Sequence, residues 1–280
     1  MSPPNDSSSE LSAADLVAYF GRIGYDGSAK PDLVTLNALA AAHVQSIPFE
    51  NLDVLAGRNI SLELNALMQK LVHSGRGGYC FENNGLFLAV LERLGYRVWS
   101  LSARVRLQRP RTQIPPRTHQ FNVVDLEGKR WLVDVGIGGV SLACAILLKT
   151  NIEQVTPHEP RRITCENGVY FHQVRFENGW NDVCEFTGEE MPPIDRELSN
   201  WYTSTHPKSH FKDRLMVARA APDGVRLSID NNQFTRRKAG QTATVEPILS
   251  PEQLLQVLEK HFGVVLPAGT KFDYPNSPWS

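Results

Sequence analysis

No apolar run in the 280-residue chain approaches the roughly 20 residues that a helix needs to cross a bilayer, so no membrane partner is expected. Residues 1–10 are polar and rich in Pro and Ser, with neither the basic start nor the apolar stretch of a secretory leader. They are expected to be disordered, and the protein to be cytoplasmic. Cysteine is scarce: Cys80, Cys144, Cys165 and Cys184 lie far apart. Their spacing suits neither a CxxC metal site nor a small disulfide scaffold, which leaves free thiols in a reducing compartment. Charge of one sign is not in excess either, with 29 Lys and Arg against 30 Asp and Glu. Nothing in that balance draws the chain to a polyanion, so no nucleic-acid partner is expected; a small-molecule enzyme fits better. Internal repeats are absent. His206 and His210 have helical i, i+4 spacing but lack the Glu of an HExxH motif, so no metal is expected.

What is present falls into sections of different period. The length exceeds that of one hydrophobic core, so two or three packed units are expected. Ser12 caps a helix with Asp15 at N3 and Leu16 and Phe20 on one face. Thr35 starts a second helix, through Leu36, Leu39 and His43, that stops before Pro48. A third begins near Ser61 and carries Leu64, Leu67, Met68 and Leu71 until Gly75, Gly77 and Gly78 break the pattern. From Cys80 to Leu94 apolar residues again recur at helical spacing, and Gly95 is a natural stop. The period then shortens. Residues 119–126 (HQFNVVDL) and 130–135 (RWLVDV), joined through Glu127-Gly128, read as a hairpin. Strands are expected near 169–176 and 182–187, giving an antiparallel sheet or barrel. After Pro192-Pro193 come a short helix from Ile194 to Tyr202, strand-like runs at 214–220 and 225–230, and a last helix. Ser250 caps that helix, with Pro251 at N1, Gln253 at N3 and Gly263 just past its end.

The segment Arg76-Gly-Gly-Tyr-Cys80-Phe-Glu-Asn-Asn-Gly85 carries the chemistry. Glycines precede a cysteine that opens a helix. A helix N-terminus offers free N–H groups and about half a positive charge, which favours a thiolate. An ordinary cysteine ionises near ~8.5, and such surroundings lower this to roughly 3.5–7.5. From the residues alone, a small buried hydrophobe is an equal alternative for Cys80. A nucleophilic cysteine needs a base and a group that orients the base. His119 opens one predicted hairpin strand and Asp134 closes the other, so adjacent strands can bring imidazole and carboxylate together. Asp134-Val-Gly-Ile-Gly-Gly139 lacks the Gly-Lys-Ser/Thr ending of a phosphate loop, and its glycines better suit a bend that admits a thiol cofactor. Glu50 and Arg76 are either a buried pair that holds the loop before the cysteine or two surface residues.

RGGYCFENNGL at 76–86 resembles the active-cysteine motif of the arylamine N-acetyltransferases. IPFENL at 47–52, PRTHQFNVVD at 116–125, WLVDVGIGG at 131–139 and STHPKSHF at 204–211 resemble further segments of that family, in order, from about residue 12 to about 265. The resemblance implies an α+β fold in three parts, with a cysteine-protease-like catalytic core: a helical bundle (11–95), an antiparallel β-barrel (96–192), a connecting segment (193–213) and an α/β lid (214–280). It implies acetyl-coenzyme A as co-substrate, an aromatic amine or hydrazine as acceptor, and a ping-pong reaction by a monomer or homodimer. The family's nucleophile, base and acid fall on Cys80, His119 and Asp134, and its substrate-pocket positions on Phe49, Ile137 and Phe211. Thr118 and Gly138 match coenzyme contacts. The family often has Phe where this chain has Ile137, which alters pocket width and stacking rather than chemistry. Two rival readings keep the same residues: a cysteine-dependent amidase, protease or transglutaminase-like enzyme, and a non-catalytic coenzyme A-binding protein.

Overall fold

The computed structural model describes residues 10–275 and 277–279; the segment 1–9, expected to be disordered, lies outside them. The N-terminal third is helical. Helix α1 (Ala13–Ile23) opens on the expected capping box, in which Ser12 Oγ accepts from Asp15 N and Asp15 reaches back to Ser12 N. Helix α2 (Leu33–Ser46) starts two residues before the expected Thr35, because Asp32 is the cap and its Oδ1 accepts from Thr35 N at 2.8 Å. After β1 (Phe49–Glu50) and the single turn α3 (Leu52–Leu55), the third expected helix begins at Leu64 rather than near Ser61. It runs as α4 (Leu64–Leu67) and widens at once into a π-helical stretch, Met68–His73. Arg22 of α1 closes that stretch, its Nε donating to Leu71 O at 2.9 Å and Nη2 to Gly75 O at 3.1 Å. Helix α5 (Cys80–Arg93) follows, and Leu86, Phe87, Val90 and Leu91 are fully buried in a core shared with α1 and α2. Each such side chain contributes about 1.5–3 kcal/mol by leaving water.

Strands β2 (Arg97–Val105), β3 (His119–Leu126), β4 (Lys129–Val133), β5 (Ile146–Leu147), β6 (Arg161–Glu166), β7 (Val169–Phe176) and β8 (Gly179–Phe186) form one antiparallel sheet, ordered β5-β4-β3-β2-β8-β7-β6. Bridges from Thr150 to Ile163 and from Gln154 to Arg161 bring the segment after β5 against β6, so the sheet nearly closes as a barrel. The β3–β4 hairpin turns through Glu127 and Gly128, both at positive φ, as a primed two-residue turn requires. β4 ends at Val133, so Asp134 stands just past the strand that was expected to contain it.

Helix α6 (Pro193–Thr205) leads to a second antiparallel sheet of β9 (Met216–Ala220), β10 (Val225–Asp230), β11 (Gln233–Lys238) and β12 (Thr244–Pro247). The first strand of that sheet is β1, in register Phe49↔Ala218, so the segment before the cysteine is paired into the C-terminal sheet. Helix α7 (Pro251–Val257), capped by Ser250 as expected, widens into a π-helical stretch that ends at Phe262, and Gly263 stands at φ 68° as its left-handed cap. No helix among the described residues is long and apolar enough to cross a membrane.

One carboxylate ties barrel to C-terminal sheet. Glu159, 3% exposed, accepts from Arg226 Nε at 2.9 Å and Nη2 at 2.8 Å, pairs with Arg237 at 3.0 Å and accepts from Arg161 Nη2 at 3.3 Å. Two of those arginines also fix the bend after Asp134, Arg161 donating to Val140 O and Arg226 to Ser141 O. Burial alone would raise the Glu159 pKa, but the guanidiniums of Arg226, Arg161 and Arg237 hold it near about 2, below its ordinary 4.5. The pair therefore contributes its full stability above pH 4.5 and loses it as pH falls toward 2. Glu159→Ala leaves three guanidiniums without their carboxylate and is expected to cost about 3–5 kcal/mol in urea unfolding at pH 7. A cost under about 1 kcal/mol would mean that the cluster does not join the two sheets.

Candidate active site

The loop before Cys80 is held by buried charge. Arg76 grips Glu50 with two parallel bonds, Nε to Oε1 and Nη2 to Oε2, both 2.8 Å, so of the two readings left open by the sequence the buried pair is found. Glu50 Oε1 also accepts from Gly77 N at 3.0 Å and Oε2 from Leu52 N at 3.2 Å. Lys70 bridges Asp53 (2.8 Å) and Glu82 (2.6 Å), and Glu82 Oε2 accepts from Tyr79 N at 3.0 Å. Burial alone would lower the Arg76 pKa; its bond to Glu50 and the charges of Glu50 and Asp53 raise it instead. Gly77 is required by close approach: a Cβ there would lie 2.1 Å from Pro48 O. Asn83 Nδ2 donates to Gly78 O at 2.6 Å from beneath.

Cys80 is the first residue of α5, 3% exposed, with its thiol directed at Thr118 O at 3.6 Å. His119, the next residue, begins β3 and lies at most 1% exposed. Its Nε2 is 2.7 Å from Asp134 Oδ2. The other carboxylate oxygen accepts from Asn84 Nδ2 at 2.9 Å and Gly136 N at 3.1 Å. Burial alone would raise the Asp134 pKa; the charge of His119, with hydrogen bonds from His119, Asn84 and Gly136, brings it below its ordinary 3.8. Burial alone would lower His119, but the charge and hydrogen bond of Asp134, joined by contact with the Cys80 sulfur, push it up to about 10 from 6.5. The imidazole is thus held as a cation beside a sulfur at a helix's positive end. Such a set can activate a nucleophile and move one proton.

The motif Arg76–Gly85 also contains Asn84, to which the sequence alone assigns no role. Asn84 donates to Gln120 O and Asp134, accepts from Val135 N, and so pins β3 and the end of β4 to α5. Its position offered a signal: i+4 from Cys80 lies on the same helix face.

The thiol opens into a cavity of about 660 Å³. Phe49, Ile137, Phe211, Thr118 and Gly138 all line it, together with Cys80 and His119. The Phe49 and Phe211 rings lie 6.1 Å apart, Tyr79 meets Phe211 edge-on at 5.6 Å, and Gly138 stands at φ 88° against the Phe49 ring. His206 and His210 have different partners, His206 stacking on Tyr202 at 4.4 Å and His210 lying tilted against Phe211 at 4.4 Å.

A family model described as N-acetyltransferase matches residues 32–271. An arylamine N-acetyltransferase of Mycolicibacterium smegmatis is 42% identical over 258 residues, covering 91% of this chain and 93% of the relative. Among solved structures, the arylamine N-acetyltransferase of Salmonella typhimurium superposes with a TM-score of 0.87 at 37% identity, covering 94% of this chain and 96% of that one. That of Mycobacterium marinum in complex with CoA gives 0.85 at 36% identity, covering 89% and 92%.

Gly136 packs directly against the nucleophile's helix, since a Cβ there would stand 2.7 Å from Asn84 Nδ2 and 2.9 Å from Cys80 Cα. Gly136→Ala is expected to slow acetyl transfer on the order of 100-fold, the effect of a displacement of about 1 Å between reacting groups. Turnover within twofold of the unchanged protein would show that this contact does not set the geometry.

Proposed function

The chain belongs to the arylamine N-acetyltransferase family and is an acyltransferase, and from that premise we propose that it carries acetyl from acetyl-coenzyme A to arylamines, arylhydrazines or hydrazides through a thioester on Cys80. The reacting form is the pair in which the sulfur has passed its proton to His119, whose imidazolium Asp134 favours. The thiolate attacks the acetyl carbonyl, and N–H groups at the start of α5 receive the oxyanion. The bond to the coenzyme sulfur breaks, and that sulfur leaves with the proton from His119. The acetyl thioester now on Cys80 is as activated as the one consumed. The acceptor nitrogen attacks it, His119 takes the nitrogen's proton, and Cys80 departs as thiolate, which restores the starting pair. Asp134 orients the ring and stabilises its charge throughout.

The observation that carries this reading is the 2.7 Å contact of His119 with a fully buried Asp134 beside Cys80. Phe49, Ile137 and Phe211 suit a flat, uncharged acceptor, because aromatic faces pack on aromatic faces. Arylamines are neutral near pH 7 and keep a free lone pair, whereas an alkylammonium must first lose a proton. Thr118 and Gly138 are assigned to the coenzyme arm. The division at 11–95, 96–192, 193–213 and 214–280 puts the nucleophile on the helical part and the base and acid on the barrel, with the last part as lid. We assign the reaction to the cytoplasm, with no metal required. An amidase or protease reading has no specific support beyond the three residues that it shares.

Incubation with acetyl-coenzyme A is expected to add the mass of one acetyl group, lost when an arylamine is supplied. Cys80→Ser is expected to lose turnover while keeping its unfolding midpoint. Full turnover by that variant, or no adduct on the unchanged protein, would overturn the proposal.

A further inference from the structure

The chain as a whole is almost neutral, with 29 basic against 30 acidic residues. The cavity that leads to Cys80 is not. Arg109, Lys208, Arg214 and Arg237 line it, against Asp230 as the one carboxylate of a lining side chain other than those of the reacting site. Asp230 is already taken by Arg214. Arg237 shares Glu159 with Arg161 and Arg226, so one carboxylate there faces three guanidiniums. Arg109 and Lys208 have no side-chain hydrogen bond or ion pair among the described residues; each makes one only through its backbone N–H, to Arg106 O and His206 Nδ1 respectively. They come from different parts of the chain. Arg109 lies in the barrel's loop between β2 and β3, and Lys208 in the segment after α6. Arg109, Lys208 and His210 line the same cavity, and burial and then the Arg109 charge lower the pKa of His210.

A neutral arylamine gains nothing from such a field, and an arylammonium would be repelled by it. Cations around a cleft with low-dielectric walls concentrate anions at its mouth. An acyl carrier with phosphate groups at one end and a thioester at the other matches this polarity. We propose that Arg109 and Lys208 form the phosphate-recognition site for the acyl donor, so that the charged end of coenzyme A is held at the mouth while its thioester reaches Cys80. This rests on the reading of the chain as an acetyl-coenzyme A-dependent transferase and names the residues that select the donor. Arg214 and Arg237 are excluded from the primary role because each side chain is already held in an ion pair, Arg214 with Asp230 and Arg237 with Glu159.

The test compares two donors with the same reacting group, acetyl-coenzyme A and S-acetyl-N-acetylcysteamine, which has no phosphate. In the double variant Arg109→Glu, Lys208→Glu, KM for acetyl-coenzyme A is expected to rise about tenfold or more, with kcat at saturation within about twofold. For the truncated thioester kcat/KM should change by less than about twofold. Raising salt should increase KM for acetyl-coenzyme A in the unchanged protein and much less in the variant, since solvent-facing charges are screened. Equal losses with both donors would assign these residues to structure, and no change with either would make them ordinary surface cations; each result overturns the proposal. The milder pair Arg109→Gln, Lys208→Gln guards against misfolding and should show the same split at smaller size. If the unchanged protein accepts acetyl from neither donor, the transferase reading itself has failed, a result distinct from the other two.

Discussion

An ion pair kept out of water, His119 against Asp134, is the constraint on which the rest of the structure depends. In water two such groups would gain little from each other. Here both are buried, so each needs the other and neither can be satisfied alone. The fold supplies the remaining partners. Asn84 from α5 and the backbone of Gly136 saturate the second carboxylate oxygen, and β3 and β4 bring the pair to the end of the barrel that faces Cys80. His119 therefore stays charged in the resting site where an ordinary histidine would be neutral, and the Cys80 sulfur lies beside that charge.

Two other buried charge groups serve that arrangement from outside. Glu50, Arg76, Asp53, Lys70 and Glu82 fix the loop that ends in Cys80, and the same loop is paired through β1 into the C-terminal sheet. Glu159 gathers arginines from the barrel and that sheet, and two of them hold the carbonyls of Val140 and Ser141 just beyond Ile137 and Gly138. Each network is costly to bury and costly to break, since removing one member strands the others. The cysteine, its base and the cavity wall thus belong to three different parts of the chain but share rigid supports. The proposed two-step transfer would rely on that rigidity, because one pocket would accept a thioester and then a nitrogen without the reacting atoms shifting.

Much of this could be read before the structure. Helix caps such as Ser12 and Ser250, the Glu127-Gly128 turn and the run from Cys80 to Leu94 rest on local rules, and local rules act within a few residues. The five family-like segments gave Cys80, His119 and Asp134, all of which meet at the cavity or directly behind it. What stayed hidden depends on distant partners. β6 reads RRITCE, too polar to announce itself, and is held as a strand by pairing along its length with β7, its Arg161 buried against Glu159. β12 is exposed along its length and exists only as the edge of its sheet. β1 has two residues and no pattern at all. The π-helical stretch Met68–His73 is met by Arg22, which donates to Leu71 O and Gly75 O and which no window within 64–73 contains.

The charge on one ring decides the account. The His119 pKa is raised in the folded protein, so its stabilising share is complete below 6.5 and vanishes as pH rises through about 10. Nitrogen-15 NMR of the protein labelled at histidine follows that ring directly. The account predicts that both His119 nitrogens carry protons at pH 8 and that the imidazolium signal disappears only near pH 10. A ring that titrates near 6.5, as a free histidine does, would contradict it.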